Sequence, residues 1–176
     1  AFQTPDSLVR LENRIREAVA RARPSVVRVS ALNPGASPLP PAMQVVPTAA
    51  VAPYRSIGSG LVVDNRGYVL TNAHVVGSSP SIRVRLWRNP PIDYQAELYH
   101  KSHEQDLAVL RLSGPGPFPV ASFGKAGAMH TGEAVIAVGS PYGLEHTVSM
   151  GIVSRKLDSL WIDGRQYRDL IQTDAA

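Results

Sequence analysis

Apolar residues at the start of the chain recur at three- and four-residue steps. Leu8, Leu11, Ile15, Ala18, Val19 and Ala22 form one stripe, the spacing of an amphipathic helix. Thr4 followed by Pro5 suits an N-cap and first helical position, and Arg23-Pro24 ends the run. The stripe predicts a helix packed on its own domain, with a contact to a neighbouring subunit as the alternative. After Pro24 the period shortens, and Ser25 to Ser30 reads as a strand rich in Val. Residues 31–56 then carry Pro34, Pro38, Pro40, Pro41, Pro47 and Pro53 among Ala and small polar residues. That composition supplies no core and predicts a long loop.

From Ile57 onward, short β-prone runs alternate with turn signals. Gly60 to Asp64 and Tyr68 to Thr71 flank Asn65-Arg66-Gly67, a hairpin turn. Ile82 to Trp87, Tyr94 to Tyr99 and Leu107 to Leu112 follow as strands. Gly114-Pro115-Gly116-Pro117 punctuates the chain as a connection between two subdomains. Ala134 to Val138, Thr147 to Val153 and Leu170 to Thr173 complete the set. Many short strands at close spacing predict an all-β barrel or sandwich behind an N-terminal helix.

Composition narrows the class. Of 176 residues, 44% are hydrophobic and 18% charged, the balance of a globular chain. No stretch approaches the roughly 20 apolar residues of a membrane-spanning helix. Cysteine is absent, which excludes disulfides, thiolate metal sites and a Cys nucleophile. The net charge of +4 is spread along the chain with no dense basic run, so no nucleic-acid partner is expected.

Two segments carry chemistry. In Gly58 to Val76 a hairpin delivers His74 at the end of a strand, in a turn of small residues. Histidine titrates near neutral pH, so it suits a general base, although a histidine after a strand also serves as a structural residue. Gln105-Asp106-Leu107-Ala108-Val109-Leu110-Arg111-Leu112 places a carboxylate directly before an apolar strand. Alone, that Asp could cap a turn. Paired with His74, it would accept a hydrogen bond from the ring's second nitrogen and fix the tautomer.

The stretch GSGLVVDNRGYVLTNAHVV resembles the histidine motif of HtrA (DegP-like) proteases, and DLAVLRL resembles their aspartate motif. GEAVIAVGSPYGLEHTVSMGIVS and LIQTDAA are similar to two further blocks of that family, in the same order. The resemblance implies a chymotrypsin-like double β-barrel. One barrel would span 25–113, with the proline-rich loop at 31–56, after a helical segment at 1–24. The first part of a second barrel would span 118–176. It also implies His74 as general base, Asp106 as its orienting partner, and no cofactor. In the family a nucleophilic serine, in a turn that also forms the oxyanion hole, follows shortly after the TDAA block. The sequence ends at Ala176, ahead of that turn. It is therefore expected to be a fragment of a longer polypeptide, inactive by itself, and no serine present is assigned as nucleophile. By resemblance, the substrates are unfolded or exposed polypeptide segments, the assembly is a homotrimer, and the compartment is the bacterial periplasm or cell envelope. A C-terminal PDZ domain, outside this sequence, belongs to many members.

A competing reading is a catalytically silent homologue acting as a scaffold that binds peptide or metal. His100 and His103 sit near Asp106 with Glu104 between, but residues three apart on a strand face opposite sides. They are expected to be surface residues, and no metal site is predicted. His130 and His146 are expected in solvent, Trp87 and Trp161 in packing, and Lys156, Arg165 and Arg168 on a solvated face. Ser140, in Gly139-Ser140-Pro141-Tyr142-Gly143, lacks the spacing of a nucleophile elbow and reads as part of a substrate-side loop.

Overall fold

A computed structural model describes residues 6–32, 54–140, 147–162 and 165–175. Helix α1 spans Asp6–Ala22, and strand β1 spans Val26–Leu32. Strands β2 (Tyr54–Asp64) and β3 (Tyr68–Asn72) form a hairpin, followed by a one-turn helix α2 (Ala73–Val76). Then come β4 (Ile82–Leu86), β5 (Ile92–Ser102) and β6 (Leu107–Leu112). These strands close a barrel in the order β1-β2-β3-β6-β5-β4, every adjacent pair antiparallel. Strands β7 (Ala134–Gly139), β8 (Thr147–Ile162) and β9 (Arg165–Thr173) make a separate antiparallel sheet.

The barrel forms because its strands alternate. In β4, Ile82, Val84 and Leu86 point inward while Arg83 and Arg85 are only half-buried. Val27, Val29, Val62, Val69 and Leu110 join them with no exposed surface. On the outer side, Arg85 lies opposite Asp93 and grips it bidentately at 2.6 and 2.7 Å. That hydrogen bond holds the Asp93 carboxyl below its ordinary pKa. The β2–β3 turn is closed by the Gly67 N–H donating to Asp64 O at 2.9 Å. Gly67 sits at φ 94°, a conformation that costs a side-chain-bearing residue but not glycine.

Residues 113–125 form no strand, yet they are strapped to the barrel. The Phe118 N–H donates to Asn65 O at 3.0 Å, and the Ala121 N–H donates to Val62 O at 2.9 Å. The Phe118 ring meets Tyr94 edge-on at 5.3 Å.

Several expectations need correction. The ends of the 31–56 stretch belong to β1 and β2, because both pair across the barrel; residues 33–53 lie outside the described residues, as do Thr4, Pro5 and His146. Strand β8 continues nine residues past Val153 to Ile162, held by pairing with β9 rather than by a buried face. Trp161 is not a packing residue: it is 66% exposed near the tip of that hairpin. Lys156 is exposed as expected, and it donates to the carbonyls of Gly127 and Met129 at 3.0 and 3.2 Å. His130, though exposed, pairs with Glu133 at 2.9 Å. No residue of α1 is fully buried; Leu8 and Leu11 are exposed, while Ile15, Ala18 and Val19 are half-buried. Helix α1 therefore packs on its own domain only through its C-terminal half.

These differences set two expectations. Leu110→Ala removes a fully buried barrel side chain and should cost about 2–5 kcal/mol, whereas Leu8→Ala should stay within about 0.5 kcal/mol; urea unfolding midpoints compare them. The second concerns Asp64, whose carboxylate accepts from the Arg66 side chain at 2.9 and 2.8 Å and from its backbone N–H at 2.7 Å. The Arg66 side-chain hydrogen bond, then the backbone one, lower its pKa from 3.8 to about 2. A depressed carboxyl stabilises the fold above the ordinary value, and this contribution disappears as pH falls through about 2. Carboxyl NMR should show the Asp64 midpoint near 2 in the native protein, rising in Arg66→Ala.

Candidate active site

The register of β3 against β6 brings the two candidate residues together. Thr71 lies opposite Ala108 and Asn72 opposite Leu107, so the chain just past β3 runs beside the residue just before β6. The Ala73 N–H extends the ladder by donating to Asp106 O at 3.0 Å. The next residue is His74, on the first turn of α2. Its own N–H donates to Asp106 Oδ1 at 3.0 Å, and its ring Nδ1 lies 2.7 Å from Asp106 Oδ2.

Burial differs sharply between the partners. The Asp106 side chain is 7% exposed and that of His74 67%. An ionised carboxylate only accepts, so Nδ1 must carry the shared proton, leaving the Nε2 lone pair bare on the open side of the ring. The carboxylate is anchored and the base is accessible. Asp106 is held at φ 52°, a left-handed backbone that costs on the order of 1 kcal/mol and persists where surrounding bonds over-determine it. Asn72 Nδ2 adds to that cradle, donating to Asp106 O at 3.1 Å and lying 3.4 Å from Oδ2. Helix α2 is fixed at its far end: the Gly77 N–H donates to Ala73 O at 3.0 Å, and Lys101 Nζ donates to the Gly77 carbonyl.

This pair borders a cavity of about 380 Å³ lined also by Ala73, Gly77, Ser78, Lys101 and His103. His103 is shared with a groove of about 1070 Å³ between the barrel and the β8–β9 hairpin. Asn72, His103, Glu104 and Leu107 line one wall; Trp161, Tyr167, Arg168 and Leu170 line the other. An exposed imidazole at a cavity edge, with its other nitrogen paired to a buried carboxylate, is suited to proton transfer. The model of the trypsin-like peptidase domain matches residues 58–176, covering both His74 and Asp106.

This chain belongs to the trypsin-like peptidase domain family.

Its relatives are of HtrA type. The peptidase domain is 35% identical over 167 residues to the magnetosome formation protease MamE of Magnetospirillum gryphiswaldense, covering 90% of this chain and 22% of that protein. It is 43% identical over 122 residues to a probable periplasmic serine endoprotease, DegP-like, of Hahella chejuensis, covering 69% of this chain and 25% of that protein. Among solved structures, the HtrA-type protease AlgW with a tripeptide superposes with a TM-score of 0.73 at 30% identity, covering 91% of this chain and 46% of that one. The chain thus spans about a quarter or less of these two curated relatives.

Of the other candidate residues, His103 lines the cavity that His74 and Asp106 line. His100 and His103 are both exposed, and among the described residues no group of three or more His, Asp or Glu side chains is placed to hold a metal. Ser140 is fully buried, with its N–H donating to Ser59 Oγ at 2.8 Å. That bond ties β2 of the barrel to the end of β7. Residues 141–146 lie outside the described residues. The sequence reading passed over Asn72, whose side-chain contact with Asp106 depends on the β3–β6 register and leaves only an ordinary Thr-Asn pair as its trace.

Asp174 and Ala175 are fixed on β8 by a close approach. The Ile152 N–H donates to Asp174 Oδ1 at 2.7 Å. A Cβ at Gly151 would collide with Asp174 Oδ1 and the backbone of Ala175. Gly151→Ala should therefore displace residues 174–175 at a cost of about 1–3 kcal/mol. Hydrogen exchange of the Ile152 amide should accelerate with it; an unchanged rate would show that the segment is held some other way.

Proposed function

We propose that the polypeptide containing this domain is a serine endopeptidase of HtrA type, cutting unfolded or exposed protein segments, with His74 as general base and Asp106 as its orienting partner. The observation that carries this reading is the His74 Nδ1–Asp106 Oδ2 contact of 2.7 Å, made by an imidazole that is 67% exposed. The nucleophile is a serine supplied by the segment that follows the TDAA block in the family's order of motifs. In this reading residues 25–113 form the N-terminal barrel and 118–176 begin the second.

The steps follow from the tautomer. Nε2 takes the proton of the serine hydroxyl as its oxygen attacks the scissile carbonyl carbon. The imidazolium then carries a positive charge, which the buried Asp106 carboxylate stabilises without itself taking the proton. Collapse of the tetrahedral intermediate breaks the C–N bond, and the proton on Nε2 passes to the leaving amine. A water deprotonated by the same nitrogen attacks the acyl carbon, the ester C–O bond to the serine breaks, and the proton on Nε2 passes to the serine oxygen. The periplasm is the proposed setting, because relatives carry that location in their names.

The test is hydrolysis of a reduced, alkylated polypeptide by the full-length protein. Asp106→Asn should lower kcat by about ten-thousand-fold, because the ring then settles in the wrong tautomer. His74→Ala should be at least as damaging. Cleavage that survives both substitutions would contradict the proposal.

A further inference from the structure

Asn72 ends β3 and occupies the N-cap position of α2, with extended backbone at φ −79° and ψ 144°. An asparagine there ordinarily turns its side-chain oxygen onto a backbone N–H of the first turn. Here no side-chain cap bond forms. The amide instead faces Asp106: Nδ2 donates to its backbone O at 3.1 Å and lies 3.4 Å from its Oδ2. One NH2 group thus spans the main chain and the carboxylate of the same residue.

That placement matters because of what else Asp106 must do. Its Oδ1 is engaged by the His74 N–H, and its Oδ2 must present a lone pair toward Nδ1. A second donor near Oδ2 restricts rotation of the carboxylate about its last bond. The same donor, on the carbonyl, helps to hold the left-handed backbone that swings the side chain under the imidazole. A four-residue helix has few amides to cap, so the forgone cap bond loses little.

We propose that Asn72 is a positioning residue for the His74–Asp106 pair, acting through its side-chain N–H groups on Asp106 and not as a helix cap. The inference rests on the triad reading above. Asn72 touches no reacting atom in this scheme; it sets the direction in which the Asp106 carboxylate is offered to the ring.

Two substitutions in the full-length protein separate the roles. Asn72→Ala removes both the donor and any capping oxygen. Asn72→Ser keeps a neutral capping oxygen but is too short to reach Asp106. A positioning role predicts that Asn72→Ala lowers kcat by about tenfold to a hundredfold with KM nearly unchanged. It also predicts that the low-field proton NMR signal of His74 Nδ1–H weakens through exchange with water, and that Asn72→Ser does not rescue either readout. A cap role predicts the reverse: Asn72→Ser restores wild-type values and Asn72→Ala moves only the melting temperature. That outcome overturns the proposal, as does a kcat and Nδ1–H signal held within about twofold in both variants. Should Asn72→Ala fail to fold, Asn72→Ser decides alone. Absence of His74-dependent hydrolysis in the wild type would defeat the triad reading, while the Nδ1–H signal in the Asn72 variants would still judge the positioning role.

Discussion

A carboxylate removed from water must be met by donors, or it becomes protonated or expelled. At Asp106 this requirement organises the fold around one spot. The side chain is almost fully buried, and backbone and side-chain donors from residues 72–74 converge on that residue. All come from the junction of β3 and α2, so they reach Asp106 only if β3 and β6 pair in one register. A slip by one residue would turn the Val69 and Leu110 side chains out of the core. The packing of the barrel and the geometry of the histidine pair are thus fixed by the same alternation, and the pair needs no flexible search to form.

Much of the barrel was legible in the sequence because its strands have one wet face and one dry face. Ile82-Arg83-Val84-Arg85-Leu86 shows this plainly, and the structure buries every second residue there. The Asn65-Arg66-Gly67 turn was legible for a different reason: Gly67 takes a positive φ that most residues avoid. The far half of β8 was not legible. Residues 154–162 have little buried surface on either face, so no alternation marks them, and their order comes from hydrogen bonds to β9. The exposed half of α1 illustrates the converse. Its stripe is clear in the sequence, but a stripe states only that one face is apolar, not how much of it this chain covers.

Legibility of the site divides in the same way. His74 and Asp106 are residue types that suit proton transfer but also serve structural roles, and it is the family resemblance that implies their pairing. The contacts around them have no such signature. Asn72 has no mark in the sequence, and the β3–β6 register shows what lies across from it. Beyond the barrel, Ser59 joins β2 to Ser140, and Gly151 lets Asp174 and Ala175 lie against β8. These contacts seat the second sheet beside the barrel, with a groove between the β8–β9 hairpin and Asn72, His103 and Leu107.

The tautomer of His74 is the direct consequence of all this, and nitrogen NMR of the imidazole ring in the full-length protein measures it. At neutral pH the ring should carry its proton on Nδ1, with Nε2 showing the shift of a bare nitrogen. A ring protonated on Nε2, or one averaging freely between the two forms, would mean that Asp106 does not hold it and that the central pairing is wrong.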